Sequence, residues 1–286
     1  MQQLCDLHAH TTASDGAYSP TQLVEYAKEK ELSALAITDH DTIDGLAEAF
    51  ACAERIGQKL IPGVELTTKL EGHEIHIVGL YVNWRDPVFA EKVRAMAATR
   101  DQRNYDMVHK LAENGFDIKM EDLDRFKGRI LTKAHIGAIL IERGYGTELK
   151  KVVEQYLAKG QVGYVERKTP DPLTCIKTIR DAGGLAFVAH TNQIDRHDRD
   201  HSVRLCRELM KMGADGLETL YCEYDDDWRA RTEAIAQEFG CLRSGGSDFH
   251  GSYKKNLDLK TGYGDLAVPA SFVQRMEERL AERAAL

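Results

Sequence analysis

The chain has 286 residues, of which 43% are hydrophobic and 29% are charged, and its net charge is −8. This composition is typical of one large globular domain, with or without a smaller insertion, and excludes a disordered tail, a collagen-like repeat and a disulfide-rich miniprotein. A negative charge also disfavours a broad basic surface for long nucleic acids, although a local pocket for one small phosphate remains compatible with it. No apolar run approaches the roughly 18–20 residues that span a bilayer, and no signal peptide is visible. We therefore expect a cytoplasmic protein with no membrane contact and no obligate protein partner.

Apolar, β-prone runs alternate with helical patterns along the chain, which is typical of parallel strands joined by crossover helices. Ser19 followed by Pro20 is predicted to start a helix, and Asp41 or Thr42 is predicted to open another that stops at Gly57. The predicted strands cover residues 4–10, 34–38, 59–66, 74–82, 184–190, 215–221 and 241–244. The fourth strand follows a tight link and is expected to be antiparallel to the third. The six cysteines are scattered without C-x-x-C spacing and are interpreted as buried free thiols.

The middle of the chain has a different pattern. Residues 90–159 are almost wholly helical, with Gly115, Gly128 and Gly144 as interruptions. We interpret residues 100–159 as a helical insertion between the fourth and fifth strands. Residues 1–99 and 160–286 then form the main α/β domain.

Histidines and acidic residues stand at the ends of the first two predicted strands. His8 and His10 are two residues apart, so their side chains point to the same face of a strand and can bind one ion. Asp15 follows on the next loop. The second strand ends in Asp39 and His40, which face opposite ways, so that one can bind a metal while the other orients a ligand. For Asp41, directly after them, a helix cap is the preferred interpretation.

The later strands carry the same residue types. Glu65 ends an apolar run, where burial of a carboxylate without a partner would be costly. His76 lies inside the fourth strand, His190 ends the fifth, and Asp248 and His250 follow the last. In barrels, the carboxyl ends of parallel strands meet at one face. Because a single zinc ion uses only three or four ligands, six histidines and three acidic residues predict two or three metal ions.

The motifs that contain these residues resemble one known family. The segments D-L-H-A-H-T, T-D-H-D, G-V-E, E-I-H-I and S-D-F-H, with Asp15 and His190 between them, are similar in order and spacing to the PHP (polymerase and histidinol phosphatase) superfamily. The resemblance covers essentially the whole chain and is strongest with stand-alone bacterial phosphoesterases that dephosphorylate nucleoside 3′,5′-bisphosphates or trim RNA 5′ ends. It implies an α/β fold, a distorted (β/α)7 barrel, with an inserted helical subdomain that covers the active site.

The resemblance also implies a role for each ligand. The first ion would be held by His8, His10, Glu65 and Asp248, the second by Asp15, His40 and His250, and the third by Glu65, His76 and His190. Asp15, His40, His190 and Asp248 would also take part in catalysis. The two or three divalent ions would be Mn²⁺, with Fe²⁺, Zn²⁺ or Mg²⁺ as variants. Thr191 stands where many relatives have proline, which leaves the substrate open.

The implied function is metal-dependent hydrolysis of a small phosphorylated nucleotide, such as a nucleoside 3′,5′-bisphosphate, by attack of a metal-bridging hydroxide. One alternative is a phosphodiesterase and phosphatase for a cyclic sugar phosphate. Another is a 5′-3′ exonuclease on short RNA or single-stranded DNA, although the 7% aromatic content favours short substrates. A non-catalytic module is disfavoured because no ligand is missing, and a C–N bond hydrolase because no barrel strand ends in lysine.

Basic residues near the insertion are candidates for holding the substrate. Lys133 and His135 follow the turn at Gly128 and lie in the first turn of a predicted helix, which favours an anion. The alternative is that Thr132 is a plain helix cap and Lys133 a solvated charge. Arg167 is a second candidate for a phosphate contact. The remaining histidines lie in polar surroundings and are interpreted as surface residues; they are His73, His109, His197 and His201.

Overall fold

The computed structural model describes residues 3–126 and 131–285, so the predicted turn at Gly128 lies outside the described residues. The strands are β1 (Leu4–Asp6), β2 (Ala34–Ile37), β3 (Leu60–Leu70), β4 (His73–Leu80), β5 (Leu185–Val188), β6 (Gly216–Tyr221), β7 (Leu242–Gly246) and β8 (Val268–Pro269). The helices are α1 (Pro20–Glu29), α2 (Leu46–Ile56), α3 (Pro87–Glu113), α4 (Lys133–Glu142), α5 (Leu149–Val152), α6 (Pro172–Asp181), α7 (Arg199–Lys211), α8 (Asp226–Phe239) and α9 (Ser271–Ala284).

The strands form one sheet in the order β7-β6-β5-β4-β3-β2-β1-β8. β4 is antiparallel to β3, as predicted, and is also antiparallel to β5. Strands β1–β3 and β5–β7 are parallel sets. The sheet closes on itself where the backbone N–H of Leu7 donates to the Gly245 carbonyl at 3.1 Å and that of His10 donates to the Phe249 carbonyl at 2.9 Å. Strands β1–β7 therefore form the distorted barrel that the family resemblance implied, and β8 adds an eighth strand antiparallel to β1.

Helix α1 begins as predicted, with a capping box at Ser19 and Pro20 in its first turn. The prediction for α2 is wrong at its start. This helix begins at Leu46 after Gly45, and Asp41 is not its cap. Asp41 instead has a left-handed backbone (φ 50°) and a buried carboxylate that binds arginines of other elements. The end of α2 at Gly57 is as predicted, since this glycine adopts the left-handed conformation (φ 66°) that ends many helices.

The segment proposed as an insertion has a hydrophobic cluster of its own. Buried residues from Met107 to Leu157 pack together, apart from the main cluster of the barrel and its helices. Helix α3 runs from Pro87 to Glu113 without a break, so the proposed boundary at residue 100 falls inside it. One helix therefore packs on the barrel with its first half and on the second cluster with its last turns.

The barrel core is apolar, and all six cysteines are free, as predicted, with five of them buried. None of the helices in the described part of the chain is both long enough and apolar enough to cross a membrane.

Candidate metal centre

The nine predicted ligands come together at one rim of the barrel. Strands β1, β2, β5 and β7 contribute through the residues that follow them, β3 contributes Glu65 from its middle, and the antiparallel β4 contributes His76 from its first half. Two of the ligands, His190 (φ 25°) and Asp248 (φ 52°), have positive φ angles that are rare for residues other than glycine. Such conformations concentrate at functional sites, where the surrounding structure must hold them in place.

The first group of ligands surrounds a carboxylate oxygen of Glu65. The Nε2 atoms of His8 and His10 are 3.1 Å apart and lie 3.3 and 3.2 Å from Glu65 Oε2. Asp248 Oδ1 is 3.2 Å from the same His10 nitrogen. Two imidazole nitrogens and two carboxylates at this spacing form a suitable set of ligands for one divalent ion.

The second group lies beside it on the side of Asp15. Donor atoms of His10, Asp15, His40 and His250 all lie within 4.8 Å of one another. His250 Nε2 is 3.3 Å and His40 Nε2 is 3.9 Å from the Asp15 carboxylate. The three side chains predicted to hold the second ion thus lie close together, and the ring of His10 stacks on that of His250.

The third group uses the other oxygen of Glu65. The Nδ1 atom of His76 and the Nε2 atom of His190 each lie 2.8 Å from Glu65 Oε1 and 3.2 Å from one another. A single glutamate therefore faces both the first and the third predicted positions. This arrangement fits a bridging carboxylate.

The chemistry of these side chains fits bound cations. Four of their buried polar atoms have no hydrogen-bond partner among the described residues: His10 Nδ1, Asp15 Oδ1, His40 Nδ1 and Glu65 Oε2. Buried polar atoms without partners are costly, and lone-pair donors converging from three sides would be satisfied by metal ions. The histidine and carboxylate content suits Mn²⁺, Fe²⁺ or Zn²⁺.

The protonation of the histidines in the metal-free chain differs from ring to ring. Burial lowers the pKa of His40 to about 4, so this ring is neutral and ready to bind metal. Burial also acts to lower the pKa of His10 and His76, but the neighbouring carboxylates outweigh it and raise these values to about 9 and about 10. The pKa of Glu65 is held well below its usual range, against the effect of burial, by the imidazoles around it.

Two buried acidic residues that the sequence analysis left without a metal-binding role hold the ligands in place. Glu218 Oε1 is 2.8 Å from Nδ1 of His8, and its other oxygen accepts the backbone N–H of His190. Asp39 accepts hydrogen bonds from the backbone and hydroxyl of Thr11, which orders the loop to Asp15. Of the pair Asp39 and His40, the histidine thus lies in the metal centre. Glu218 could have been recognised from the sequence as a charged residue inside the mostly apolar strand β6.

Asp248 is also supported from two sides. The hydroxyl of Tyr221 donates to Asp248 Oδ2 at 3.0 Å, and Lys254 Nζ lies 2.6 Å from the same oxygen. Tyr221 is fully buried and Tyr224 nearly so, with its hydroxyl bound to Thr191. Both tyrosines are therefore part of the supporting structure.

A cavity rich in positive charge adjoins the metal centre. It has a volume of about 150 Å³, and it is lined by Asp15, His40 and His76 on one side and by Arg100, Arg103 and Lys133 on the other. Arg103 is 6% exposed, and its Nε atom has no hydrogen-bond partner among the described residues. Burial lowers the pKa of Arg103 to about 10 and also lowers the pKa of Lys133. Glu74 also lines the cavity and compensates part of this charge, and an anion such as a phosphate group would stabilise the cations further.

The two arginines of α3, Arg100 and Arg103, were not predicted from the sequence. Arg100 donates through Nε to Asp41 Oδ2 at 2.7 Å, and Arg167 donates to the same oxygen at 2.9 Å. A signal was present in the sequence, because Arg100 and Arg103 occupy positions of α3 that continue the buried stripe of Met96. Arginines on the apolar stripe of a helix are buried, and buried arginines need anionic partners.

The three predicted substrate-binding residues occupy different positions. Lys133 and Arg167 line the cavity, although the Arg167 guanidinium is already bound to Asp41 and to the Met96 carbonyl. His135 belongs to the capping box of α4, in which its Nδ1 accepts the backbone N–H of Thr132 at 3.1 Å. Lys133 is therefore the one of the three that is best placed for a substrate.

Known proteins are similar to this chain in sequence and in fold. The chain is 35% identical to a 5′-3′ exoribonuclease of Haemophilus influenzae over 91% of its length and 96% of the relative. It is 32% identical to a 3′,5′-nucleoside bisphosphate phosphatase of Chromobacterium violaceum, over 89% of the chain and 90% of the relative. A crystal structure of a protein named as a metal-dependent phosphoesterase, from Bifidobacterium adolescentis, matches with a TM-score of 0.86 and 27% identity, over 97% of this chain and 96% of that one.

These likenesses agree with the geometry of the site. The sequence model of the PHP domain matches residues 6–181, which contain six of the nine ligands at the rim. The match in sequence extends over most of the chain, and the match in structure over nearly all of it. The chain belongs to the PHP domain family and is a metal-dependent phosphoesterase, a hydrolase of phosphoric esters.

Proposed function

We propose that this phosphoesterase hydrolyses a small nucleotide that carries two phosphate groups, such as a nucleoside 3′,5′-bisphosphate. One phosphate would lie at the metal centre and the other in the cavity of Arg103 and Lys133. The observation that carries the proposal is the buried Nε of Arg103 beside the metal ligands, which has no hydrogen-bond partner in the described part of the chain. A relative named as a nucleoside bisphosphate phosphatase supports the same substrate class.

We assign two or three divalent ions to the centre, with Mn²⁺ as the expected metal. His8, His10, Glu65 and Asp248 would hold the first, Asp15, His40 and His250 the second, and Glu65, His76 and His190 the third. When bound, such ions neutralise phosphoryl oxygens and make water acidic enough to act as a nucleophile near neutral pH. Four of these metal ligands would also orient the reacting groups: Asp15, His40, His190 and Asp248.

The protein side chains would supply the rest of the chemistry. Arg103 and Lys133 would orient the substrate by binding its second phosphate, while Arg100 and Arg167, already bound to Asp41, would add positive charge to the wall of the cavity. Positioning of this kind raises the rate because the reacting phosphorus is held in line for attack. His135 would contribute indirectly, by capping α4 so that Lys133 faces the cavity.

The test compares a substrate that has the second phosphate with one that lacks it. Lys133→Ala should lower kcat/KM for adenosine 3′,5′-bisphosphate about 10- to 150-fold, since a hydrogen bond to a charged group contributes roughly 1.5–3 kcal/mol. It should leave kcat/KM for adenosine 3′-monophosphate within about twofold. The matched control is Lys119→Ala, an exposed lysine of the same segment. An equal loss on both substrates, or no loss on either, would refute the second-phosphate assignment.

A second candidate is 5′-3′ exonuclease activity on short RNA, which the name and 35% identity of the Haemophilus influenzae relative favour. The same two sites would then hold the 5′-phosphate and the next phosphodiester of the chain. The net charge of −8 favours the small substrate. Faster hydrolysis of a 5′-phosphorylated RNA than of adenosine 3′,5′-bisphosphate would favour the exonuclease. Turnover of a cyclic sugar phosphate, with no turnover of the other two substrates, would favour the cyclic sugar phosphate phosphodiesterase.

We also propose a cytoplasmic location, which is tested by cell fractionation.

A further inference from the structure

A second group of metal-binding side chains lies outside the metal centre, among the histidines that the sequence analysis placed on the surface. One donor atom from each of His73, Asp195 and His201 lies within 4.8 Å of the others. His201 Nδ1 is 2.9 Å and His73 Nε2 is 3.8 Å from the same oxygen, Asp195 Oδ2. The three side chains are 16–30% exposed, so they are open to solvent on one side.

The hydrogen bonds of His73 fix the ring in a form suited to a metal. Its Nδ1 lies 2.9 Å from the Ile194 carbonyl oxygen, which can only accept a hydrogen bond, so Nδ1 carries the proton. In the neutral ring, the lone pair is then on Nε2, the nitrogen that faces Asp195. A backbone carbonyl that binds the other ring nitrogen is a frequent companion of metal-binding histidines.

The ring of His201 is oriented in a similar way by a carboxylate. Its Nε2 lies 3.5 Å from Glu71 Oε2, and Glu71 is held by two contacts with Arg204, at 3.0 and 2.6 Å. Donation from Nε2 to Glu71 leaves Nδ1 to face Asp195. In the metal-free chain a proton can lie between His201 Nδ1 and Asp195 Oδ2, and a cation would take its place.

Asp195 is held in position by its backbone surroundings. Its Oδ1 accepts the backbone N–H groups of His197 and Asp198 at 3.1 and 3.2 Å, which leaves Oδ2 to face the two rings. A tetrahedral zinc ion at about 2.0–2.2 Å from each ligand needs donor atoms roughly 3.3 Å apart. The 2.9 and 3.8 Å separations lie on either side of that value.

We infer that His73, Asp195 and His201 form a second metal site that binds Zn²⁺, distinct from the metal centre of the barrel. Two imidazoles and one carboxylate are ligands that zinc prefers, and water can fill the fourth position. The ion would join the start of β4, the loop after β5 and the first turns of α7.

The position of this outer site connects it with the metal centre. His73 precedes the ligand His76 by three residues on β4, and Asp195 follows the ligand His190 by five residues. An ion that joins these two segments would restrain both histidines of the third predicted position. The inference does not depend on which substrate the enzyme hydrolyses.

The test locates zinc directly and counts it. Crystals of the Mn²⁺-loaded protein soaked in Zn²⁺ should give an anomalous difference peak above the zinc edge between His73, Asp195 and His201. In solution, protein equilibrated with buffered Zn²⁺ should lose about one bound ion per chain on His73→Ala or His201→Ala, because each removes one of three protein ligands. The matched control is His197→Ala, an exposed histidine of the same loop outside the trio, which should keep the wild-type count.

A thermal measurement checks that the variants are folded. Without zinc, all four proteins should unfold in one cooperative transition, and zinc should raise the Tm of wild type and His197→Ala more than that of the other two variants. If one of the variants His73→Ala and His201→Ala does not fold, the other still measures the loss of bound zinc. No peak at the trio and an unchanged zinc count in a folded variant would overturn the inference, leaving a hydrogen-bonded surface cluster.

Discussion

The carboxylate of Glu65 faces five histidines. Its Oε2 lies 3.0–3.3 Å from nitrogens of His8, His10 and His40, and its Oε1 lies 2.8 Å from His76 and His190. A fully buried carboxylate in such surroundings stays ionised because the imidazoles and, in the loaded protein, the cations compensate its charge. At the scale of the residue, the site therefore depends on partners that hold each ligand at the correct angle.

Glu218→Gln tests this dependence at His8. The amide keeps the size of the side chain but has only one accepting oxygen, so it cannot accept hydrogen bonds from both His8 Nδ1 and the His190 backbone N–H. The orientation and basicity of the His8 ring therefore change. Loss of such a supporting partner typically lowers metal affinity about 10–100-fold, and we expect this range in a chelator competition assay. Glu223→Gln, an exposed change close to it in the sequence, is the control. Equal affinities for both variants and wild type would contradict the role of Glu218.

At the scale of the elements, Asp41 connects three parts of the chain. Its carboxylate accepts from the backbone of Thr67 on β3, from Arg100 on α3 and from Arg167, which precedes α6. The sequence pattern around Asp41 favours a helix cap, and nothing local distinguishes a cap from a buried anion. The deciding partners are 59 and 126 residues away.

Asp41→Asn should lower the free energy of unfolding by about 3–5 kcal/mol, the usual cost of leaving a buried charge unpaired. Burial tends to raise the pKa of Asp41, but Arg100 and Arg167 outweigh it and lower the pKa to about 2. Because the folded value lies below the ordinary 3.8, the contribution is complete above that pH and is lost as the pH falls through about 2. Urea unfolding at neutral pH measures the difference. Glu91→Gln, which breaks an exposed ion pair with Arg94, should cost less than about 1 kcal/mol; similar costs for both would refute the prediction.

At the scale of the whole molecule, the barrel and its metal ligands could be predicted because most of the ligands lie at or shortly after the ends of predicted strands. His8, Glu65 and His190 mark strand ends in the sequence, and barrel topology brings such ends together. The cation-rich cavity could not be predicted in the same way, because Arg103 and Lys133 meet through the packing of α3 on α4. The trio of His73, Asp195 and His201 likewise depends on long-range contacts, so polar surroundings in the sequence indicate only exposure.

The metal centre as a whole should release protons when it binds metal. In the metal-free chain the carboxylates raise the pKa of His10 to about 9 and of His76 to about 10, against the effect of burial, so both rings are protonated at neutral pH. Metal binding requires neutral imidazoles, so affinity should fall as the pH falls. Titration calorimetry in two buffers of different ionisation enthalpy, near neutral pH, should detect release of at least about one proton per chain. A binding heat that is the same in both buffers would show that metal does not displace protons from these histidines.

Phosphate release from adenosine 3′,5′-bisphosphate is the most direct test of the central claim, which joins the metal centre to a substrate with two phosphates. The assay compares Mn²⁺-loaded protein with the same preparation after chelation and after reloading. We predict rapid release by the loaded protein, none after chelation, and recovery on reloading, because the metals supply both the nucleophile and the neutralisation of the phosphoryl oxygens. Absence of release by fully metal-loaded protein, or release that survives chelation, would contradict the account.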